Sequence, residues 1–308
     1  MESSHQDDHN NPSLTRFESM LKTNNVLFFD SSEFENIIHY YLENGKIGLA
    51  KKAIKLGLEQ HPNSTNMRLF KTEIFIIENR LDKADELLQE LYELEPENEE
   101  IYIQKANVFS KNDEHVKAIK TLKYALDLCD QKTDADILSL IGMEYLFMDR
   151  FKEAAHYFAK CLEIDIYDYS ALYNIIFCLD VLDKNQEAVE FLNGYLETHP
   201  YCDVAWHQLG RQYATLKEYD KAIAAFDFAI ISDEGFLGAY LEKAKVLEDL
   251  NEYKSAIEIY KLTLKLEEPT SFALMRIGHC FEKLKLNDKA IKYYKKAVHE
   301  DPLLDKGW

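Results

Sequence analysis

The 308-residue sequence contains little glycine and little proline, with 10 and 6 residues of each. So few turn-forming residues permit long helices and argue against a β protein with many turns. No apolar run approaches the length of a membrane span, and residues 1–11 lack the basic and apolar regions of a secretory signal. Basic residues are also few, because 36 stand against 55 acidic ones and leave a formal net charge of −19. We therefore expect neither nucleic acid nor an anionic membrane as a partner.

Motifs that carry chemistry are also missing. The sequence has no G-x-S-x-G, no glycine-rich phosphate loop and no H-E-x-x-H. His5 and His9 flank two aspartates, but an acidic tail explains them better than a metal site does. The five cysteines form no C-x-x-C pair, which favours reduced core thiols in a cytoplasmic protein. We expect no enzyme activity, no cofactor and no metal.

What the sequence does have is one residue that recurs at a fixed interval. Alanine stands at eight positions, 34 residues apart except for one interval of 36: Ala50, Ala84, Ala118, Ala154, Ala188, Ala222, Ala256 and Ala290. A period of this size is typical of solenoids, which stack one supersecondary unit on the next. With the alanine at place 20, repeats 1 to 8 cover residues 31–64, 65–98, 99–134, 135–168, 169–202, 203–236, 237–270 and 271–304. The surplus of repeat 3 is expected around Gln131, Lys132 and Thr133.

Repeat 6 shows the pattern within a repeat most clearly. Its key residues occupy places 4, 7, 8, 11, 20, 24 and 27: Trp206, Leu209, Gly210, Tyr213, Ala222, Phe226 and Ala229. Spacings of three and four put each group on one stripe of an α-helix. A short polar turn near places 15–17 separates the two stripes. Each repeat is therefore predicted to be a helix–turn–helix in which small residues at places 8 and 20 let the helices approach closely.

These residues resemble the tetratricopeptide repeat, whose pattern W-L-G-Y-A-F-A-P occupies the same places and place 32. Repeat 8 matches it through Leu274, Ile277, Gly278, Phe281, Ala290, Tyr294, Ala297 and Pro302. The resemblance implies an all-α fold, a right-handed superhelical solenoid whose concave groove is lined by the first helix of every repeat. Repeats 1 and 5 depart from the pattern with Ile38 and Ile176 at place 8, so we expect their hairpins to open slightly.

The two ends of the chain differ from the repeats. Residues 1–12 are polar and predicted to be a disordered tail. Residues 13–30 are predicted to be a capping helix and connector, with Leu14, Phe17 and Leu21 on one face. Ser32 and Glu35 are expected to form a capping box for the first repeat helix. Residues 305–308 align with the start of a repeat, which predicts a truncated ninth unit and an open C-terminal edge.

The family resemblance also implies which side chains face the groove, namely those at places 2, 5, 9, 12 and 13 of each first helix. Eight of these are the candidate peptide-binding residues: Met143, Phe147, Tyr173, Phe177, His207, Arg211, Lys245 and His279. The predicted groove has an aromatic middle followed by a basic stretch. It suits a peptide with an apolar anchor and acidic residues. The alternative, in which some of these side chains pack against neighbouring helices, stays open, especially at place 12.

One known activity of the family is disfavoured by the residues present. Well-known members bind acidic chaperone tails through a carboxylate clamp of lysine, asparagine and arginine spread over three consecutive repeats. Asn107, Asn174 and Arg276 stand at clamp places, but in repeats 3, 5 and 8. No consecutive triplet qualifies.

The repeat pattern and its groove places lead to two functional hypotheses. The first is a cytoplasmic protein–protein interaction scaffold that binds a peptide segment of a partner in its concave groove. The second is a self-associating structural spacer in a larger assembly, which would form a homodimer through its convex face or its open C-terminal edge. A role as an enzyme accessory or nucleic-acid binder has no supporting feature.

Overall fold

The computed structural model describes residues 12–23, 26–128, 134–266 and 270–301. Within these ranges every regular element is an α-helix. The chain divides into two compact units, the first ending at Ile164 and the second beginning at Asp165. The predicted tail before Pro12, the surplus residues of repeat 3 and the expected ninth repeat lie outside the described residues.

The helices follow one another in pairs after the first. The N-terminal unit contains α1 (Pro12–Thr23), α2 (Ser31–Glu43), α3 (Ile47–Gln60), α4 (Thr65–Ile77), α5 (Leu81–Leu94), α6 (Glu99–Lys111), α7 (His115–Leu128), α8 (Asp134–Phe147) and α9 (Phe151–Ile164). The C-terminal unit contains α10 (Tyr169–Val181), α11 (Asn185–Thr198), α12 (Asp203–Thr215), α13 (Tyr219–Ser232), α14 (Leu237–Asp249), α15 (Tyr253–Leu266), α16 (Ser271–Lys283) and α17 (Asn287–Glu300). From α2 onward, each repeat thus contributes one helical hairpin.

The small residue at place 8 sets how closely the two helices of a hairpin approach. In repeats 4, 6 and 8 this residue is glycine, and an aromatic ring from place 24 lies on it. A Cβ added at Gly210 would lie 2.5 Å from the ring of Phe226. Place 20 complements this contact, because all eight of its alanines are buried. The predicted helix–turn–helix and its close packing are confirmed.

Repeats 1 and 5 show what happens when place 8 is large. The two helices of these hairpins approach less closely than those of repeats 6 and 8. Ile38 and Ile176 are both fully buried at the crossing, where their volume keeps the backbones apart. This is the opening expected for repeats 1 and 5. Repeat 2, with Thr72 at place 8, is no closer than repeat 1, so the size of this residue is one cause of the opening among others.

All eight turns inside the hairpins share one backbone conformation. Place 15 has a left-handed φ of 55° to 66° in every repeat: Gly45, Asn79, Asp113, Asp149, Asp183, Lys217, Asn251 and Lys285. The N–H of the next residue then donates to the carbonyl of place 11, as from Glu218 to Tyr213 at 2.8 Å. This is the long bond of a Schellman cap, which satisfies carbonyls at the end of the first helix.

Helix α1 packs on repeat 1 through apolar and polar contacts. Phe17 is fully buried, with its ring centroid 5.9 Å from that of Phe29 and 6.1 Å from that of Phe34. The carboxylate of Glu33 on α2 accepts hydrogen bonds from Ser13 Oγ at 2.7 Å and Arg16 Nη1 at 2.9 Å. Hydrogen bonding, chiefly from the backbone N–H of Asp30, lowers the pKa of Glu33.

The predicted capping box at Ser32 and Glu35 is wrong by two residues. Helix α2 begins at Ser31, its N-cap is Asp30, and the N–H of Asp30 donates to Glu33 Oε2 at 3.0 Å. Asp30 is as good an N-cap as serine and also has a glutamate three residues later. The two registers have the same local signature, so the contacts of Glu33 with α1 distinguish them.

We predict that Gly210→Ala destabilises repeat 6 by about 1–3 kcal/mol, because Phe226 is fully buried and has no room to retreat. Gly194→Ala is the matched control, since it lies in helix α11 with no atom within 4 Å of the added Cβ. It should stabilise its helix by about 0.5–1 kcal/mol. Urea unfolding followed by the fluorescence of Trp206 measures both, and equal midpoints for the two variants would contradict the packing role of Gly210.

Candidate functional site

The first helices of the C-terminal unit form its candidate site. Helix α10 packs beside α12, and α12 beside α14. Places 5 and 9 are one turn apart on a helix and therefore share a face. We define the C-terminal face as these places on α10, α12, α14 and α16: Tyr173, Phe177, His207, Arg211, Leu241, Lys245, Met275 and His279.

Two exposed rings lie on α10 in this face. Tyr173 is 41% exposed and Phe177 is 50% exposed. Large exposed aromatic side chains are typical of the anchors of protein interfaces. The other two predicted aromatic or apolar residues, Met143 and Phe147, belong to α8 of the N-terminal unit. There Phe147 is exposed and stacks on His115 with ring centroids 5.5 Å apart, whereas Met143 is half-buried.

His207 is held inside the face instead of on it. Its ring lies 4.9 Å from that of Phe236 and 5.9 Å from that of Phe226. Both ring nitrogens are buried and lack a hydrogen-bond partner among the described residues. Burial, reinforced by the positive charge of Arg211, lowers the pKa of His207 to about 4. His207 is therefore neutral at pH 7 and contributes packing, not charge.

The cations of the C-terminal face are Arg211 and Lys245. Arg211 is exposed and its Nη1 donates to Gln208 Oε1 at 3.1 Å. Lys245 pairs with Glu242, one turn earlier on α14, at 2.6 Å. His279, on α16, is half-buried. The predicted basic stretch thus consists of one guanidinium and one lysine already paired with a carboxylate.

A polar network fixes the position of α12 against α10. Gln212 is buried, and its Nε2 donates to Asp180 Oδ1 at 2.8 Å while its Oε1 accepts from Asn185 Nδ2 at 2.9 Å. Asp180 stands at place 12, where the sequence left groove-facing and packing roles open. Its bond to the next first helix indicates the packing role.

The first helices of the N-terminal unit form a cavity that was not predicted from the sequence. The N-terminal cavity has a volume of about 260 Å³ between α2, α4 and α6, and its lining is largely polar: Glu35, His39, Asn66, Leu69, Phe70, Glu73, Glu100 and Gln104. Most of these residues stand at places 2, 5 or 9 of their repeats. The groove places of repeats 1 to 3 therefore indicate this cavity, whereas the eight candidate residues all belong to repeats 4 to 8.

The described residues offer neither of two further classes of site. None of their helices is long and apolar enough to cross a membrane. No group of three histidine, cysteine, aspartate or glutamate side chains there could hold a metal ion.

The hairpins match a known family directly. One model described as tetratricopeptide repeat matches residues 135–165 and 273–302, and a second with the same description matches residues 207–269. This chain carries tetratricopeptide repeats. A solved structure shows the same fold over a longer stretch, the C-terminal part of a TPR repeat-containing protein from Cytophaga hutchinsonii. It is 16% identical, has a TM-score of 0.60, and the match covers 78% of this chain and 97% of that one.

Among curated proteins, the chain is similar to two from Schizosaccharomyces pombe. It is 24% identical over 237 residues to anaphase-promoting complex subunit 3, and 21% identical over 246 residues to anaphase-promoting complex subunit cut9. The matches cover 77% and 76% of this chain. The chain spans 35% of the length of each of these relatives.

The half-buried His207, whose two ring nitrogens are buried, predicts a loss of stability in acid. Its pKa is about 4 in the folded chain and about 6.5 when unfolded, so only the unfolded state takes up a proton between these values. Its stabilising contribution is therefore present above pH 6.5 and is lost as the pH falls toward 4. From pH 7 to pH 5 repeat 6 should lose about 2 kcal/mol through this group. Urea unfolding followed by Trp206 fluorescence at the two pH values measures the loss.

The matched control is His207→Gln, which has no titrating group and should lose about 2 kcal/mol less than the unaltered chain over the same pH interval. NMR titration of the His207 ring gives the pKa itself. A midpoint above 6, or identical pH dependence in the two proteins, would contradict the burial of a neutral imidazole.

Proposed function

We propose that this chain is a protein–protein interaction scaffold whose C-terminal face binds a peptide segment of a partner. The observation that carries the proposal is the pair of exposed rings, Tyr173 and Phe177, one turn apart on α10 beside the cation of α12. Exposed aromatic side chains lose little conformational entropy when they are buried by a partner. The hairpins hold their backbones in place before any partner binds, which reduces the cost of association.

The charges of the face support a particular kind of ligand. Arg211 is exposed on α12, the helix that packs beside α10. A peptide could place an apolar side chain on the two rings and a carboxylate against Arg211. Arginine binds carboxylates through two parallel hydrogen bonds, which fixes the direction of the peptide as well as adding affinity.

The relatives support the broader part of the proposal. Two of them are, by name, subunits of the anaphase-promoting complex, so both work within a protein assembly. Among the described residues neither a metal cluster nor a membrane-spanning helix suggests another kind of ligand. The self-associating spacer remains the alternative, and it predicts a dimer whose contact lies outside the exposed rings of α10.

We expect Tyr173→Ala/Phe177→Ala to weaken peptide binding at least tenfold, because truncating an interface anchor costs about 2 kcal/mol or more. The probe is a random twelve-residue peptide library displayed on phage and selected on the full chain. Enriched sequences should combine an apolar residue with an acidic one. Synthetic copies are then titrated against each variant by fluorescence anisotropy.

The control variant is Tyr167→Ala/Tyr201→Ala, which also removes two exposed rings, 64% and 85% accessible, outside the helices. It should bind the enriched peptide as tightly as the unaltered chain. Unchanged affinity in the α10 variant, or no enrichment at all, would reject the face as a peptide site. Sedimentation of the same variants tests the alternative, which requires a dimer that persists in the α10 variant.

A further inference from the structure

The N-terminal cavity collects hydrogen-bond acceptors and negative charge. Three of its eight lining residues are glutamates, and none is lysine or arginine. Glu73 and Glu100 are half-buried on neighbouring helices α4 and α6. Burial raises the pKa of both carboxyl groups, and the charge of Glu100 raises the pKa of Glu73 further. The charge of His39 lowers both pKa values and a hydrogen bond from Gln104 lowers that of Glu100, but burial outweighs them, and no lysine or arginine lines the cavity to offset the loss of water.

The side-chain amide of Gln104 provides an independent observation, an acceptor oxygen that no donor in the described part of the chain satisfies. Its side chain is only 7% exposed. The Nε2 group donates to Glu100 Oε1 at 2.8 Å, which fixes the orientation of the amide. Its Oε1 is buried and meets no donor among the described residues. A buried acceptor without a donor is costly, so a ligand that brings an N–H group would be favoured here.

The aromatic part of the lining narrows the choice of cation. The rings of His39 and Phe70 lie 5.0 Å apart at 90° to each other. A guanidinium group is planar, stacks on ring faces and carries five N–H donors with no acceptor. An ammonium group is compact, strongly hydrated and lacks the plane that stacks. A metal ion is not favoured, because no cluster of three suitable ligands exists among the described residues.

We propose that the N-terminal cavity binds the guanidinium group of an arginine side chain from a partner protein. Glu73 and Glu100 accept its hydrogen bonds, Gln104 Oε1 accepts a further one, and the ring of Phe70 or His39 packs against its plane. The proposal rests on the proposed function in one respect, which is that the ligand comes from a bound protein segment. The site belongs to the other compact unit, and its charge is opposite to that of Arg211.

The test uses the full chain and small probes of known structure. N-acetyl-arginine methylamide is titrated into the ¹⁵N-labelled protein, with the citrulline and lysine analogues as comparisons. Arginine should give saturable shifts of the amide signals of α4 and α6 around Glu73, Glu100 and Gln104. Lysine should bind more weakly, and citrulline, which is nearly isosteric but neutral, should give no saturable shifts there. Equal shifts from arginine and citrulline would overturn the proposal, and this comparison requires no variant.

Variants then assign the site. Glu73→Gln/Glu100→Gln should weaken arginine binding at least tenfold. Glu90→Gln/Glu93→Gln removes the same charge from exposed positions on α5 and should leave binding unchanged. An equal loss of binding in both variants would show that arginine responds only to the net charge of the protein, which would overturn the proposal. Tyr173→Ala/Phe177→Ala should keep arginine binding intact, so failure of this site and failure of the C-terminal face are distinguishable.

Arginine-bearing peptides separate the free side chain from a protein segment. Nine-residue peptides of alanine and serine with a central arginine should bind at least as tightly as the methylamide and shift further signals on α2, α4 or α6. Peptides that bind at least tenfold more weakly would show that the cavity does not admit a chain, which contradicts a protein ligand.

Discussion

The contact between places 8 and 24 is the constraint that sets how closely the two helices of a hairpin pack. A glycine or alanine at place 8 lets the second helix lie close enough for its ring to cover the first helix, as Phe226 covers Gly210. The buried alanine at place 20 and the left-handed residue at place 15 serve the same geometry. All of these residues point into the hairpin or close its turn. The outer positions of the first helix are consequently free to vary without loss of the fold.

The two units differ in the residues that occupy these outer positions. On α10 and α12, places 5 and 9 hold exposed rings and a guanidinium, whereas on α2, α4 and α6 the corresponding region holds carboxylates around a buried glutamine. The same backbone thus presents an apolar and basic surface in one unit and an acidic cavity in the other. The polar pair of Asn185 and Gln212 shows that even contacts between repeats tolerate exchange of apolar for hydrogen-bonded side chains.

Much of the fold could be predicted from the sequence because the determining residues repeat. The alanine period located the hairpins. The size of Ile38 and Ile176 predicted that repeats 1 and 5 are more open than repeats 6 and 8, but not that repeat 2 is as open as repeat 1. Capping motifs were less reliable where two possible helix starts carry the same motif, as Asp30 and Ser32 do, each with a glutamate three residues later. Lys217 and Lys285 adopt a left-handed φ that favours glycine, and only their place in the repeat identifies them. The acceptor Oε1 of Gln104, unsatisfied by any donor of the described residues, lies where α2, α4 and α6 meet. No residue spacing within a single helix predicts such a site.

Native-state hydrogen exchange tests the role of place 8 most directly, since it reports on each hairpin of the unaltered chain. Repeats 5 and 6 are neighbours in the C-terminal unit, but place 8 is Ile176 in one and Gly210 in the other. We predict slower exchange for the amides of α12 and α13 than for those of α10 and α11, because the closer hairpin opens less readily. Equal exchange in the two hairpins, or slower exchange in repeat 5, would contradict the account.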